Sequence, residues 1–497
     1  MSNELTGAKV LARMLHDYGV TDIFHVPAVL RTTMAELETI SNVRRIHAHG
    51  EASAAYMADG YARASGKPGV CAAQIIGALN LAAGLRDAWL AKSPVIALTG
   101  GRDQATKFRK AYQEVDDIPA FEPVTKLNAT VDSANRFPDM LNQAFRVAVS
   151  GSPGPVHLQF KGNEGQIDQE IFDESISRSI DERAICVPPY RPKPDVNEIK
   201  RAMDIINSAS KPIFVVGGGV RWSKAGDLID EISKKLKIPV ATSLNGKDVI
   251  NANNPLNVGV VGTYSRGSAN KSVLAADLAI FIGTDLGGMV TNFWTVPKIG
   301  IKAIHVDIDP SSINKNVKAD LPIIGDAALI LEQMIKVWKE KGYKRNDGIL
   351  TEWWKKIEVW RDKKCLDFKQ DSKIIKPQYA IRRLFEKTQK TDAYITTEVG
   401  QHQMWAAQYY KFNKPNRWIT SGGLGTMGFG LPAAIGAQVA HPDKLVIDIA
   451  GEASILMCIQ EMSTAIQHKL PVKIFIINNQ YMGMVRQWQE LLHDKRY

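Results

Sequence analysis

The sequence predicts an α/β protein of three domains, each built on parallel strands flanked by helices. Three observations lead there. Short apolar runs of strand character alternate with helix-period patterns along most of the chain. A helix end followed by Pro-Val and a strand returns three times, at Ser93-Pro94-Val95, Ile238-Pro239-Val240 and Leu470-Pro471-Val472. Two linker-like stretches then divide 497 residues into lengths suited to domains of about 150 residues.

Taken in order, the buried strands are expected at Val70–Ala73, Val95–Leu98, Val156–Phe160, Ile213–Val216, Leu278–Ile282, Ala303–Val306, Leu445–Ile449 and Lys473–Ile477. Proline suits the first position of a strand, where its missing N–H does no harm. The first linker, Ile185–Ile199, holds Pro188, Pro189, Pro192 and Pro194, a density that breaks regular structure. The second is the charged stretch Lys336–Lys376. The domains expected are 1–184, 196–335 and 376–497.

Composition narrows the function classes. Hydrophobic residues at 45% exclude disorder as the main state. Net charge is 62 − 52 = +10, much of it between Lys336 and Lys390 among Glu and Asp. That reads as a solvated helical connector. Trp353, Trp354 and Trp360 have a spacing that suits helix packing, and no nucleic-acid partner is expected. Cys71, Cys186, Cys365 and Cys458 form no CxxC pair, so no thiolate metal site is expected. Cys71 and Cys458 lie in apolar runs and are expected buried, and the cysteine usage suits a reducing, cytoplasmic setting. The N-terminus MSNELTGAKVLARML begins an amphipathic helix rather than an apolar signal core. Charges such as Asp448 and Glu452 interrupt the most apolar runs, so no membrane span is expected.

The chemistry concentrates near the C-terminus. The strand at Leu445–Ile449 runs into Gly451-Glu452-Ala453-Ser454 and a helix, and the strand at Lys473–Ile477 ends in Asn478-Asn479-Gln480-Tyr481. From Glu452 to Asn479 is 27 residues, one helical crossover, which brings both loops to one carboxyl edge. A carboxylate, an amide oxygen and a loop carbonyl there make a hard-oxygen Mg²⁺ site, completed by diphosphate oxygens. N–H groups at the helix start can cradle those phosphates. Singly, Glu452 reads as a helix N-terminal acid and Asn479 as a turn residue.

Here the chain resembles the thiamine-diphosphate-dependent enzymes, and within them the large catalytic subunits of acetolactate synthases. The family pattern Gly-Asp-Gly-Ser followed by Asn-Asn stands as Gly451-Glu452-Ala453-Ser454 and Asn478-Asn479. Glu398-Val399-Gly400-Gln401-His402-Gln403-Met404-Trp405, Ser421 to Pro432 and Gln480 to Leu491 resemble that subunit closely, as does Gly50 to Arg63. The resemblance implies that Glu51 is the catalytic carboxylate, hydrogen-bonded to the cofactor's N1′ as a proton relay. It implies a Gly425 carbonyl that accepts from the 4′-amino group and Met427 as a wedge beneath the cofactor. Val399, Gly400, Gln401, His402, Gly451, Ala453 and Ser454 would hold the diphosphate. Glu452, Asn479 and the Tyr481 carbonyl would hold Mg²⁺, with Glu452 one methylene longer than the family's aspartate. Tyr112, Gln113 and Trp488 fall on the substrate side.

Departures accompany it. The family's glycine-rich segment after the first strand stands here as His25-Val26-Pro27-Ala28-Val29-Leu30-Arg31, and a Ser-Gly-Pro-Gly turn as Gln74-Ile75-Ile76-Gly77. Both changes remove glycine freedom beside the site. Asp285 and Met289 replace two arginines of the family's FAD pattern, so FAD is expected to bind weakly or not at all. The third domain is expected to be incomplete, because relatives continue past Tyr497 with further strands and helices.

The reading is decarboxylation of a 2-oxoacid, pyruvate, and transfer of the two-carbon unit to an acceptor, as in the acetolactate step of branched-chain amino acid biosynthesis. A homodimer or homotetramer follows from the resemblance, because Glu51 and the diphosphate site come from different subunits in the family; a regulatory subunit is compatible with it. The alternatives are a related acetyltransferase, carboligase or 2-oxoacid decarboxylase, or a catalytically dead structural paralogue. A nicotinamide dehydrogenase is disfavoured, because Gly217-Gly218-Gly219, the triplet that follows a strand in the central domain, is weak evidence for a dinucleotide.

Overall fold

The computed structural model describes residues 4–40, 43–343, 347–362, 366–371 and 373–497. Cys365 lies outside the described residues. The chain forms two compact units. One is Met1–Tyr190 with Tyr394–Val399 and Leu424–Tyr497; the other is Arg191–Ala393 with Gly400–Gly423.

In the first unit, β1 (Asp22–His25), β2 (Arg44–His47), β3 (Gly69–Ala73), β4 (Val95–Gly100), β5 (Asn128–Val131) and β6 (Val156–Phe160) form one parallel sheet in the order β2-β1-β3-β4-β6-β5. β3, β4 and β6 are buried at every position, which is why they read as unbroken apolar runs rather than alternations. Pro94-Val95 opens β4 as expected. The opening helix Gly7–Asp17 is amphipathic as read; Thr6 caps it by accepting from the Lys9 N–H at 3.5 Å.

In the second unit, β7 (Pro212–Val216), β8 (Val240–Thr242), β9 (Asn257–Val260), β10 (Leu278–Ile282), β11 (Lys302–Asp307) and β12 (Leu321–Ile324) form the order β12-β11-β10-β7-β8-β9. That is the doubly wound order, reversing between β7 and β10. The Pro-rich stretch passes through residues 186–195 without helix or strand. The charged stretch carries the helices Ala327–Lys341 and Asp347–Asp362. Trp353 on the latter is buried, donates from Nε1 to the Pro212 carbonyl at 3.2 Å and packs edge-on against Trp360. These tryptophans are core, as their helical spacing suggested.

The remaining strands are β13 (Tyr394–Thr397), β14 (Trp418–Thr420), β15 (Val446–Gly451) and β16 (Lys473–Ile477). β13 pairs with β15, and β15 with β16, all parallel. Within the first unit, β13, β15 and β16 join the N-terminal sheet through two crossing helices, Glu51–Ser65 and Gly430–Ala440. Glycine makes the crossing close. A Cβ at Gly60 would lie 2.2 Å from the Ala433 carbonyl oxygen, and one at Gly436 only 1.9 Å from that of Met57. Cys71 and Cys458 are buried free thiols as expected, and Cys186 is exposed. No helix among the described residues is long and apolar enough to cross a membrane.

Candidate active site

The register of β15 on β16 sets Gly451 opposite Ile477. Glu452 therefore leaves one strand end beside the end that carries Asn478 and Asn479, as the 27-residue spacing required. Glu452 opens the four-residue helix Glu452–Ile455 and is half-buried. Asn479 Oδ1 accepts from the Tyr481 N–H at 3.1 Å, and Asn478 Oδ1 from Gln480 N–H at 2.9 Å. These side-chain turns fix where the amide oxygen and the loop carbonyls stand. Among the described residues, no three His, Cys, Asp or Glu side chains are grouped to hold a metal. Any metal here would be taken by a carboxylate, an amide and a carbonyl, a donor set that suits Mg²⁺ completed by phosphate oxygens.

Beneath this edge lies a carboxylate to which sequence reasoning gave no role. Glu398 directly follows β13 and is 0% exposed. It accepts from the N–H groups of Gly428 at 2.6 Å and Leu431 at 3.1 Å, and from Ser454 Oγ at 2.8 Å. Ser454 Oγ in turn accepts from the Val399 N–H at 3.4 Å. One side chain thus ties together the Val399, Met427-Gly428 and Ser454 segments. Burial pushes Glu398 up to about 7, against the Ser454 and backbone hydrogen bonds that hold it down. Asp448, buried on β15, accepts from Thr396 Oγ1 at 3.1 Å; burial, and then the charge of Glu398, raises it well above the usual carboxylate range. Gly430 makes room for the pair, since a Cβ there would stand 2.3 Å from Asp448 Oδ1. The signal in the sequence was a carboxylate ending a strand within a block that matched relatives.

Gly425 and Gly428 have φ of +81° and +91°, the left-handed region that favours glycine, and bracket half-buried Met427. A Cβ at Gly428 would come within 2.7 Å of Met457 Cβ. Gly451 is the extended residue before the Glu452 helix, and Ala453 is half-buried within it. Val399 belongs to the first unit, while Gly400, Gln401 and His402 belong to the second. Gly400 has φ +154°, and a Cβ there would meet the buried His402 ring at 2.9 Å.

Glu51 is the first residue of its helix and accepts from Asn80 Nδ2 at 3.2 Å. Gly77 gives it space, since a Cβ there would lie 2.4 Å from Glu51 Oε1. The last residue of the altered Gln74–Gly77 turn thus keeps a role that only glycine can fill. The earlier segment keeps left-handed backbone without glycine, with φ of +75° at Ala28 and +45° at Leu30. On the substrate side, Gln113 Oε1 accepts from Gln74 Nε2 at 3.3 Å and Asn163 Nδ2 at 3.0 Å. Glu114 accepts from the Phe108 and Ala111 N–H groups, so it clasps the loop. Tyr112 is 83% exposed, and Trp488 is 45% exposed on a helix, Gly483–Leu492, with no buried residue.

Comparison with known proteins gives the same order of parts. Residues 5–120 match the thiamine pyrophosphate enzyme N-terminal TPP binding domain, 199–334 the central domain and 398–497 the C-terminal TPP binding domain. The acetolactate synthase isozyme 3 large subunit of Escherichia coli is 38% identical over 501 residues, covering 99% of this chain and 85% of that protein. The acetolactate synthase large subunit of Haemophilus influenzae is 36% identical over 99% of this chain and 86% of its own length. A probable acetolactate synthase large subunit of Methanocaldococcus jannaschii is 37% identical, with 99% and 83% covered. With all three domain types in sequence and relatives matched over nearly its whole length, this chain belongs to the thiamine pyrophosphate enzymes, in the family of the acetolactate synthase large subunits.

Proposed function

We propose that the protein decarboxylates pyruvate with thiamine diphosphate and Mg²⁺ and joins the two-carbon unit to a second 2-oxoacid, giving a 2-acetolactate-type product. The observation that carries this reading is the adjacency of the β15 and β16 ends, with Glu452 and Asn479 on them.

Thiamine diphosphate, when bound there, would supply a carbon nucleophile and an electron sink for the decarboxylation of a 2-oxoacid. The chain's residues do the rest. Glu452, Asn479 and the Tyr481 carbonyl would hold Mg²⁺. Gly451, Ala453, Ser454 and the Val399-Gly400-Gln401-His402 stretch hold the diphosphate, with N–H groups at a helix start suited to anions. The Gly425 carbonyl would accept a hydrogen bond from the pyrimidine amino group, and Met427 would pack against the cofactor. Glu51 carries a proton between its carboxyl oxygen and the pyrimidine ring nitrogen. Tyr112, Gln113 and Trp488 shape the acceptor side. Glu398 is a positioning residue, because it touches three of these segments and none of the reacting atoms.

The assembly we propose is a homodimer or a higher homo-oligomer, in a cytoplasmic setting and open to a regulatory subunit. Leu456, Met457 and Ile466, exposed beyond the Glu452 loop, offer apolar area for such a contact. Flavin does not fit the central domain. Asp285, Asp307 and Asp309 gather where β10 and β11 end, and Asp307 is raised to about 6 by burial and then by its acidic neighbours. Carboxylates at that edge repel a diphosphate.

Product analysis with a panel of 2-oxoacids tests the reading. Pyruvate with thiamine diphosphate and Mg²⁺ should yield CO₂ and 2-acetolactate. Acetaldehyde alone would make the chain a simple decarboxylase, and no turnover of any 2-oxoacid would sink the catalytic reading.

A further inference from the structure

Three neighbouring strands of the first unit bring amide side chains to one carboxyl edge. β3 pairs with β4 and β4 with β6, so the loops after Ala73, Gly100 and Phe160 leave side by side. The first carries Gln74, the second Gln113, and the third Asn163 and Gln166. Glycine lets these loops close. A Cβ at Gly100 would stand 2.0 Å from the Asn163 carbonyl oxygen. That oxygen accepts from the Ile75 N–H at 3.0 Å, and the Gly162 carbonyl accepts from the Gly101 N–H at 2.8 Å. Gln113 is held at φ +63°, a left-handed conformation that a residue with a side chain adopts only at a cost.

The amides form a relay with one direction. It starts at a backbone N–H, which can only donate: Glu164 N–H donates to Gln166 Oε1 at 3.1 Å. The other end of that amide, Nε2, donates to Asn163 Oδ1 at 3.1 Å. Asn163 Nδ2 then donates to Gln113 Oε1 at 3.0 Å, and Gln74 Nε2 adds a second donor to the same oxygen at 3.3 Å. An amide oxygen has two lone pairs, so Gln113 Oε1 is filled by the chain's own side chains. Gln113 Nε2 is the free end of the relay among the described residues. The turn that begins at Gln74 ends at Gly77, where a Cβ would lie 2.4 Å from Glu51 Oε1, so the relay sits beside that carboxylate.

We propose that Asn163 and Gln166 are positioning residues that fix the Gln113 amide with its N–H donors free, so that the substrate side reads a 2-oxoacid by an acceptor group, its carboxylate. A carboxylate only accepts, so it matches an N–H and is refused by a carbonyl oxygen. Gln74 supports the same orientation. The inference rests on the substrate-side role proposed for Gln113, and adds what holds that side chain and what it selects.

Ligand-observed NMR titration of the full chain tests it, with Mg²⁺ and a thiamine diphosphate analogue blocked at C2 so that no turnover intervenes. The ligands are pyruvate, whose carboxylate only accepts, and pyruvamide, whose carboxamide also donates. Asn163→Asp keeps the shape and the backbone contact to Ile75, but sets an acceptor against Gln113, which must turn its amide over to meet it. The added charge by itself disfavours pyruvate, so the same change is also made in a Gln113→Leu background. The pyruvate-to-pyruvamide affinity ratio should fall about tenfold further with Gln113 present than in that background, the scale of a hydrogen bond to a charged group. Gln166→Glu, at an exposed position, applies the same reversal one amide earlier, because it still accepts from Glu164 N–H but cannot donate to Asn163. It should lower the ratio in the same direction, and it carries the test if Asn163→Asp does not retain the analogue. An equal fall in both backgrounds would overturn the proposal, as would an unchanged ratio or a parent that binds neither ligand. The expected shift in a chain that turns over no 2-oxoacid would sink the catalytic reading and leave the relay standing. Turnover of pyruvate with equal falls would do the reverse.

Discussion

Two carboxyl edges of parallel sheets in this chain carry opposite chemistry. At the β13–β15–β16 edge the buried charges are carboxylates, Glu398 and Asp448, and Glu398 is satisfied by backbone N–H groups and a serine. At the β7–β8–β9 edge a buried cation, Arg221, acts on a buried carboxylate, Asp248, and Asn245 Oδ1 and Thr263 Oγ1 are left without a hydrogen bond. Both edges follow the same α/β rule for where ligands bind. The strand order thus selects the place, and the loop residues select the ligand.

The comparison breaks first if the chemistry does not depend on Glu51. Glu51→Gln keeps the size but cannot relay a proton, so turnover should fall about 10²–10⁴-fold. Exchange of the cofactor's C2 proton, followed by NMR, isolates that step from substrate binding. Unchanged exchange would remove Glu51 from the mechanism.

Next in size is the pH dependence of Glu398. Its folded value of about 7 lies above the ordinary 4.5, so the folded state holds the proton more tightly. Its contribution to stability is full below about 4.5 and is lost as pH rises toward 7. The stability difference between Glu398→Gln and the parent should therefore shift across that window in favour of the variant. Denaturant melts at pH 5 and 7.5 measure it, and a pH-independent difference would contradict a protonated Glu398.

A smaller effect separates the two edges directly. Asn479→Leu should weaken cofactor retention by about 10–100-fold, the range for losing a metal-site group. Asp285→Asn, at the end of β10, should leave it within about twofold, the scale of surface changes. Thiamine diphosphate remaining after gel filtration reads both. Equal loss in the two variants would erase the distinction drawn between the edges.

The smallest prediction concerns Ala28. Its φ of +75° costs a non-glycine residue of order 1 kcal/mol. Ala28→Gly should recover part of that, less the extra freedom glycine gives the unfolded chain. A rise of about a degree or less in the melting temperature is expected, and a clear fall would show that the alanine side chain stabilises by packing.

The sequence by itself determined the alternation of strands and helices, because buried parallel strands must be apolar at every position. It also determined the Glu452–Asn479 adjacency, because one crossover of 27 residues has few ways to return to a sheet. Blocks such as Gly451–Ser454 carried the family. The tertiary structure alone decided what those blocks rest on. Nothing local in Glu398 says that it is buried, since its partners lie 30, 33 and 56 residues away. The same holds for Gly60 and Gly436, whose lost side chains make sense only where two distant helices cross. Local pattern records what a residue's neighbours in sequence demand; burial and charge balance depend on residues the chain brings together only by folding.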